Sequence, residues 1–310
     1  MARGRHLYAA LAGGVLRTTT LVFLCVLSFS PAVHPQTSSA SAATLIIRTD
    51  DAGMSHSVNM ALTRLIQTGL PVSVSVMFPT PWYQETVAIL KQHPEVSVGI
   101  HLTLNSEWRN YRWGPIVGRE AVPTLVDSNG YFFQSAEALH DHHPDLGQVE
   151  KELRAQIDRA LKSGLTIDYV DYHMGTAVEY PEFREIVERL AREYSLGMMG
   201  YFSDSTADPQ YRAAPANKGD SLVALVNRLQ PGGVTVLVTH VGIDDAELGA
   251  LIDMNTAEPL ADMSMNRQGE LDGLTSPRFA QALKDRHIHV ITYRELIGKQ
   301  GLQSMKRPPQ

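Results

Sequence analysis

Leu45-Ile-Ile-Arg-Thr-Asp-Asp-Ala-Gly-Met54 is the stretch from which the fold is read. A short apolar run of strand length ends in two adjacent carboxylates, and a glycine then lets the backbone turn away. Two like charges at a strand tip repel each other and need a physical reason. A metal site supplies one: one carboxylate coordinates a cation and the other stays beside it as a base. A strand-to-helix loop supplies another, with one aspartate capping the next helix.

Further strand-length segments recur along the chain. They are Val72–Met77, Val96–Leu102, Ile167–Tyr172, Leu196–Phe202, Val234–His240 and His287–Tyr293, after Thr44–Thr49. Helical spacing fills the intervals at Ser55–Thr68, Trp82–Gln92, Leu146–Ser163, Pro181–Tyr194, Ser221–Gln230 and Ser276–Arg286. Gly69, Gly164 and Pro231-Gly232-Gly233 supply stops, and Pro181 suits a first helical turn. Strand then helix, repeated, predicts parallel strands with helices outside. The expected fold is a single-domain α/β (β/α) barrel, TIM-barrel-like but irregular, with about seven parallel strands. Chemistry in such a fold gathers at the C-terminal ends of the strands. Two irregular stretches, Asn105–Asp145 and Ser203–Asp220, are long enough to act as lids or binding walls.

The N-terminus reads as a targeting segment. Arg3, Arg5 and Arg17 precede the apolar run Leu21–Leu27, and Ala40-Ser41-Ala42 resembles a cleavage site. Residues 1–42 are therefore expected to be a secretory signal and residues 43–310 the barrel domain, exported to a bacterial periplasm or exterior. The run is short for a bilayer span, so no stable membrane association is expected after cleavage; an uncleaved anchor is the alternative. The one cysteine, Cys25, lies in the signal, which leaves histidines and carboxylates as ligand candidates. Without the signal's three arginines the chain has 24 basic and 33 acidic side chains, a formal charge of −9. Basic runs are absent, so nucleic acid is not an expected partner.

Four strand ends carry ionisable groups: Asp50-Asp51, His101, Asp171-Tyr-His173 and His240. Three histidines on separate parallel strands, together with an aspartate pair, would meet at one rim of a barrel. Two histidines and one carboxylate form a common facial ligand set that leaves positions open for water and substrate.

These motifs resemble the YdjC-like, or chito-oligosaccharide deacetylase, family of carbohydrate deacetylases, relatives of the polysaccharide deacetylases. The resemblance rests on Thr49-Asp-Asp-Ala-Gly53 with Asn59, Gly99-Ile-His-Leu-Thr-Leu104, Asp171-Tyr-His-Met-Gly175 and Thr239-His-Val-Gly242. It closes with Leu274-Thr-Ser-Pro277 through Ile291-Thr-Tyr-Arg-Glu-Leu296. It implies Asp51, His101 and His173 as ligands of one divalent ion, Mg2+ or Zn2+, Asp50 as catalytic base and His240 as the acid. It also implies an N-acetylated saccharide substrate. Two departures, His173-Met-Gly-Thr176 for a His-x-His run and His240-Val-Gly242 for His-Pro-Gly, alter the pocket wall without removing a ligand.

Trp108, Arg109, Tyr111, Arg112 and Trp113 form a candidate sugar platform, with an aromatic mini-core that pins the loop as the other reading. The functional rivals are a metal-dependent hydrolase of another bond and an exported sugar- or metal-binding protein without catalysis. Oligomeric state is not legible.

Overall fold

Alternation sets the architecture. In Val72-Ser-Val-Ser-Val76 the valines pack outward against helices, while Ser73 and Ser75 face inward, where their hydroxyls bond Tyr293 and Tyr169. The computed structural model describes residues 42–255 and 263–309, so the segment read as an export signal lies outside the described residues up to residue 41.

The strands are β1 (Thr44–Ala52), β2 (Val72–Val76), β3 (Ser97–Leu102), β4 (Ile167–Tyr172), β5 (Gly197–Met198), β6 (Ser205–Ala207), β7 (Val234–Thr239) and β8 (His289–Ile291). Every ladder among them is parallel, in the order β5-β4-β3-β2-β1-β7-β6. β8 runs beside the first residues of β1, pairing Thr44 with His289 and Ile46 with Ile291, and β2 takes over that edge from Ile47. Among the described residues no ladder joins β5 to β6, so the barrel is open at that seam.

The helices are α1 (His56–Ile66), α2 (Tyr83–Leu90), α3 (Ala136–Asp141), α4 (Leu146–Lys162), α5 (Pro181–Glu193), α6 (Lys218–Arg228), α7 (Ala246–Gly249), α8 (Met263–Thr275), α9 (Pro277–Asp285) and α10 (Tyr293–Gln300). Their starts follow local chemistry: Ser55, Asp145 and Ser276 accept backbone N–H groups of α1, α4 and α9, and Thr292 with Glu295 forms a capping box on α10.

Two apolar clusters lie on opposite sides of the sheet. The larger, including Leu45, Ile47, Val98, Ile100 and Leu102, packs under the helices. The smaller fills the barrel interior with Ile46, Tyr169, Val236, Val238, Ile291 and Tyr293. The first residues of α10 bond Ser73, Ser97 and Asp168, at the starts of β2, β3 and β4. That helix therefore covers the end of the barrel opposite Asp50, Asp51 and His101.

Several features differ from the sequence expectation, among them short helices α3 and α10. The described residues hold eight strands where about seven were expected, since Ser205–Ala207, in a stretch read as irregular, pairs with β7. The segment read as Leu196–Phe202 keeps only two strand residues. Helix α8 was not anticipated. It has no single apolar stripe, since it packs tightly through Gly269 against Pro215 and through Gly273 against Gly219 and Leu222.

Where β1 turns into α1, Gly53 has φ of 91°, and a Cβ there would lie 2.9 Å from Tyr83 Cα. Its N–H donates to the buried Asn59 side chain at 2.9 Å, and its carbonyl accepts from Thr80 Oγ1 at 2.6 Å. Gly53→Ala therefore meets both an unfavourable backbone conformation and a backbone clash. It should destabilise the fold by at least ~1–2 kcal/mol, read as a lower urea midpoint; an unchanged midpoint would contradict this account of the turn.

Candidate metal centre and active site

Adjacent residues on a regular strand point to opposite faces, yet Asp50 and Asp51 both line one cavity. A bulge makes this possible. Thr49 pairs with Val74 and Ala52 with Val76, so two residues of β1 stand opposite Ser75 alone. Asp51 takes a left-handed conformation, φ 64°, which aspartate tolerates better than most side chains.

Asp51, His101 and His173, all buried, bring one ligand atom each to within 4.8 Å of the others. Asp51 Oδ1 lies 3.5 Å from His101 Nε2 and 3.1 Å from His173 Nδ1. Donors held about 2.0–2.2 Å from one ion stand about 3–3.5 Å apart, so these spacings fit a shared divalent cation. His101 Nδ1 bonds Asp171 Oδ1 at 2.9 Å, which fixes the ring and leaves Nε2 for a metal. The other oxygen of Asp51 accepts Arg267 Nη2, from α8, at 2.6 Å. Gly242 gives Arg267 room, since a Cβ there would lie 2.9 Å from the arginine Cβ.

Asp50 is held differently. Arg48, two residues earlier on the same face of β1, donates Nε to Oδ1 and Nη2 to Oδ2, each at 2.7 Å. The same Nε lies 3.1 Å from Asp171 Oδ2, which also accepts Ser75 Oγ at 2.5 Å. Asp50, His101 and Asp171 form a second possible metal cluster. Its centre already faces the Arg48 guanidinium, and its carboxylates already have partners, so the set built on Asp51 fits an ion better.

The electrostatics agree. Burial would raise the Asp51 carboxyl, but Arg267 and the two imidazoles hold it well below the ordinary carboxylate range. Burial would lower both histidines. Asp171 and Asp50 instead push His101 up to about 10, and Glu107 and Asp51 push His173 up to about 9.

These groups open into a cavity of about 780 Å3. His240 lines it; its backbone N–H donates to Glu270 at 2.7 Å, and its buried Nδ1 has no partner among the described residues. Tyr211 packs edge-on against the His240 ring with centroids 5.7 Å apart. Of the five candidate platform residues only Trp108 lines the cavity. Tyr111 bonds Met54 O at 2.5 Å, Trp113 Nε1 bonds Asn105 O at 2.8 Å, Arg112 bonds Asp127 and Phe132 O, and exposed Arg109 uses its backbone N–H on Ile252 O. These four stand off the cavity wall, and the bonds of Tyr111, Arg112 and Trp113 match the other reading of this stretch, an aromatic mini-core that pins the loop. Tyr172 and Tyr211 join Trp108 on the wall instead.

Sequence reasoning missed Arg48, Glu107 and Arg267 and gave Asp171 no role. At neutral pH both raised imidazoles carry a proton that an arriving cation must displace. Affinity should therefore rise with pH until the range of about 9 to 10 is passed. Calorimetric titration of Zn2+ near pH 7, in buffers of different ionisation enthalpy, should report about two protons released per ion. Binding without proton release would contradict this.

The YdjC-like protein family matches residues 44–285. A carbohydrate deacetylase of Geobacillus stearothermophilus is 31% identical over 265 residues, covering 81% of this chain and 96% of that protein. Another, from Brevibacillus brevis, is 27% identical over 266 residues, covering 81% and 99%. A crystal structure from Enterococcus faecalis, named for cellobiose-phosphate cleavage, superposes with a TM-score of 0.70 at 23% identity over 83% of this chain and 99% of that one, a likeness of fold. With Asp50, Asp51, His101, His173 and His240 all gathered on one cavity, the chain belongs to the YdjC-like family.

Proposed function

We propose that the protein is a metal-dependent carbohydrate deacetylase that hydrolyses the N-acetyl group of an amino sugar. The observation that carries this reading is the buried Asp51–His101–His173 triangle beside Asp50 in a cavity of saccharide size. The relatives named carbohydrate deacetylases support the same reaction class.

Amides resist hydrolysis because resonance weakens the carbonyl as an electrophile and an amine leaves poorly. Asp51, His101 and His173 would hold a divalent ion, which would supply Lewis acidity toward the carbonyl oxygen and lower the pKa of a bound water. Two imidazoles and one carboxylate suit Zn2+ better than Mg2+.

The chain's own groups do the rest. Asp50, fixed by the two-point contact with Arg48, takes the proton of the attacking water at a carboxylate oxygen. His240 gives a proton to the leaving nitrogen; its ring packs against Tyr211, and its Nδ1 has no hydrogen-bond partner among the described residues. Arg267 holds the outer oxygen of Asp51, so that one oxygen remains for the ion. Trp108, Tyr172 and Tyr211 line the wall against which pyranose rings would rest.

Acetate release from a panel of N-acetylated saccharides, with metal supplied and chelated, tests the proposal. Release is expected only with metal. Asp50→Asn should keep the ion and lose about 10^2–10^4-fold in turnover. No acetate from any saccharide, or full activity in chelator, would overturn the reading.

A further inference from the structure

His173 is engaged at both ring nitrogens. Nδ1 faces Asp51 Oδ1 at 3.1 Å, inside the ligand triangle, while Nε2 stands 3.1 and 3.0 Å from the two oxygens of Glu107. Glu107 is 2% exposed, and its Oε2 also accepts Asn105 Nδ2 at 3.3 Å. Its oxygens do not belong to either cluster of atoms gathered within 4.8 Å among the described residues. Glu107 therefore stands outside the ligand triangle and touches it through one imidazole.

A neutral imidazole has one N–H, and the hydrogen bond made by one nitrogen decides which lone pair remains at the other. His101 shows one solution in this same centre: Nδ1 bonds Asp171, and Nε2 faces Asp51. His173 has the nitrogens exchanged. We propose that Glu107 is a positioning residue for His173: it accepts the Nε2–H, fixes the tautomer that presents Nδ1 to the cation, and tightens metal binding. The inference rests on the metal-centre reading above and adds to it a carboxylate supplied by a loop rather than by a strand end.

That origin has a structural consequence. Glu107 O accepts Met254 N–H at 2.9 Å, Trp108 bridges to Asp253, and Arg109 N–H donates to Ile252 O at 2.8 Å. The long segment after β3 is thus tied to the segment after α7 at the residue that orients a metal ligand. Glu107 also gains by the pairing, since a buried carboxylate needs a positively polarised partner.

The test measures Zn2+ affinity by competition with a chromophoric chelator for the wild type and for Glu107→Gln, with circular dichroism confirming the fold. Glu107→Gln keeps the size and loses the charge. It should bind one ion about 10–100-fold more weakly. A second measurement needs no Glu107 variant: nitrogen–proton correlation spectra of the Zn2+-loaded wild type should place the His173 proton on Nε2, with the resonance assigned by its loss in His173→Ala. Unchanged affinity in a folded Glu107→Gln, or a proton on His173 Nδ1, would overturn the role of Glu107 while leaving the metal centre standing. A wild type that binds no Zn2+ would overturn the metal reading and this inference with it.

Discussion

A guanidinium enclosed in a barrel of small strands is the constraint on which the rest of this structure depends. Arg48 is 3% exposed, and removing its charge from water costs several kcal/mol unless partners replace the solvent. Asp50 takes it at two points, and Asp171 reaches it from across the barrel. Each partner then has a second task. Asp171 bonds His101 Nδ1, and Asp50 is held still beside the Asp51–His101–His173 cluster. Loss of one partner would leave buried charge uncompensated, which typically costs about 3–5 kcal/mol, so the network that tolerates Arg48 is also the one that orients the site.

The second constraint is the backbone at Asp50 and Asp51. A regular strand would have sent one of the two carboxylates outward into the helical layer. The bulge and the left-handed Asp51 keep both on the cavity side but give them different neighbours: Arg48 for Asp50, Arg267 with two imidazoles for Asp51. Two carboxylates one residue apart can then serve different chemistry, because their surroundings differ.

Much of this was legible in the sequence, and the reason is periodicity. Parallel strands separated by helices bring their C-terminal ends to one rim, so Asp50, Asp51, His101, His173 and His240 could be gathered without coordinates. Arg48 was legible in principle, since it shares a face with Asp50 by the two-residue period. Glu107 and Arg267 were not, because their contacts depend on the path of a loop and on a helix whose sequence carries no apolar stripe. The strand at Ser205–Ala207 is three residues long, and its serine and threonine are exposed, so it left no apolar pattern to read. The aromatic loop was ambiguous for a physical reason: Trp108 faces the cavity, whereas Trp113, five residues later, spends its indole N–H on Asn105 inside the loop.

The central claim is that one ion sits among Asp51, His101 and His173 with Asp50 left uncoordinated. Anomalous diffraction at the zinc edge, from crystals grown with Zn2+, tests it most directly. The account predicts a single peak about 2.0–2.2 Å from Asp51 Oδ1, His101 Nε2 and His173 Nδ1, with Asp50 outside coordination distance and still bound to Arg48. A peak ligated by Asp50 and Asp171, or none in this cavity at full metal loading, would contradict it.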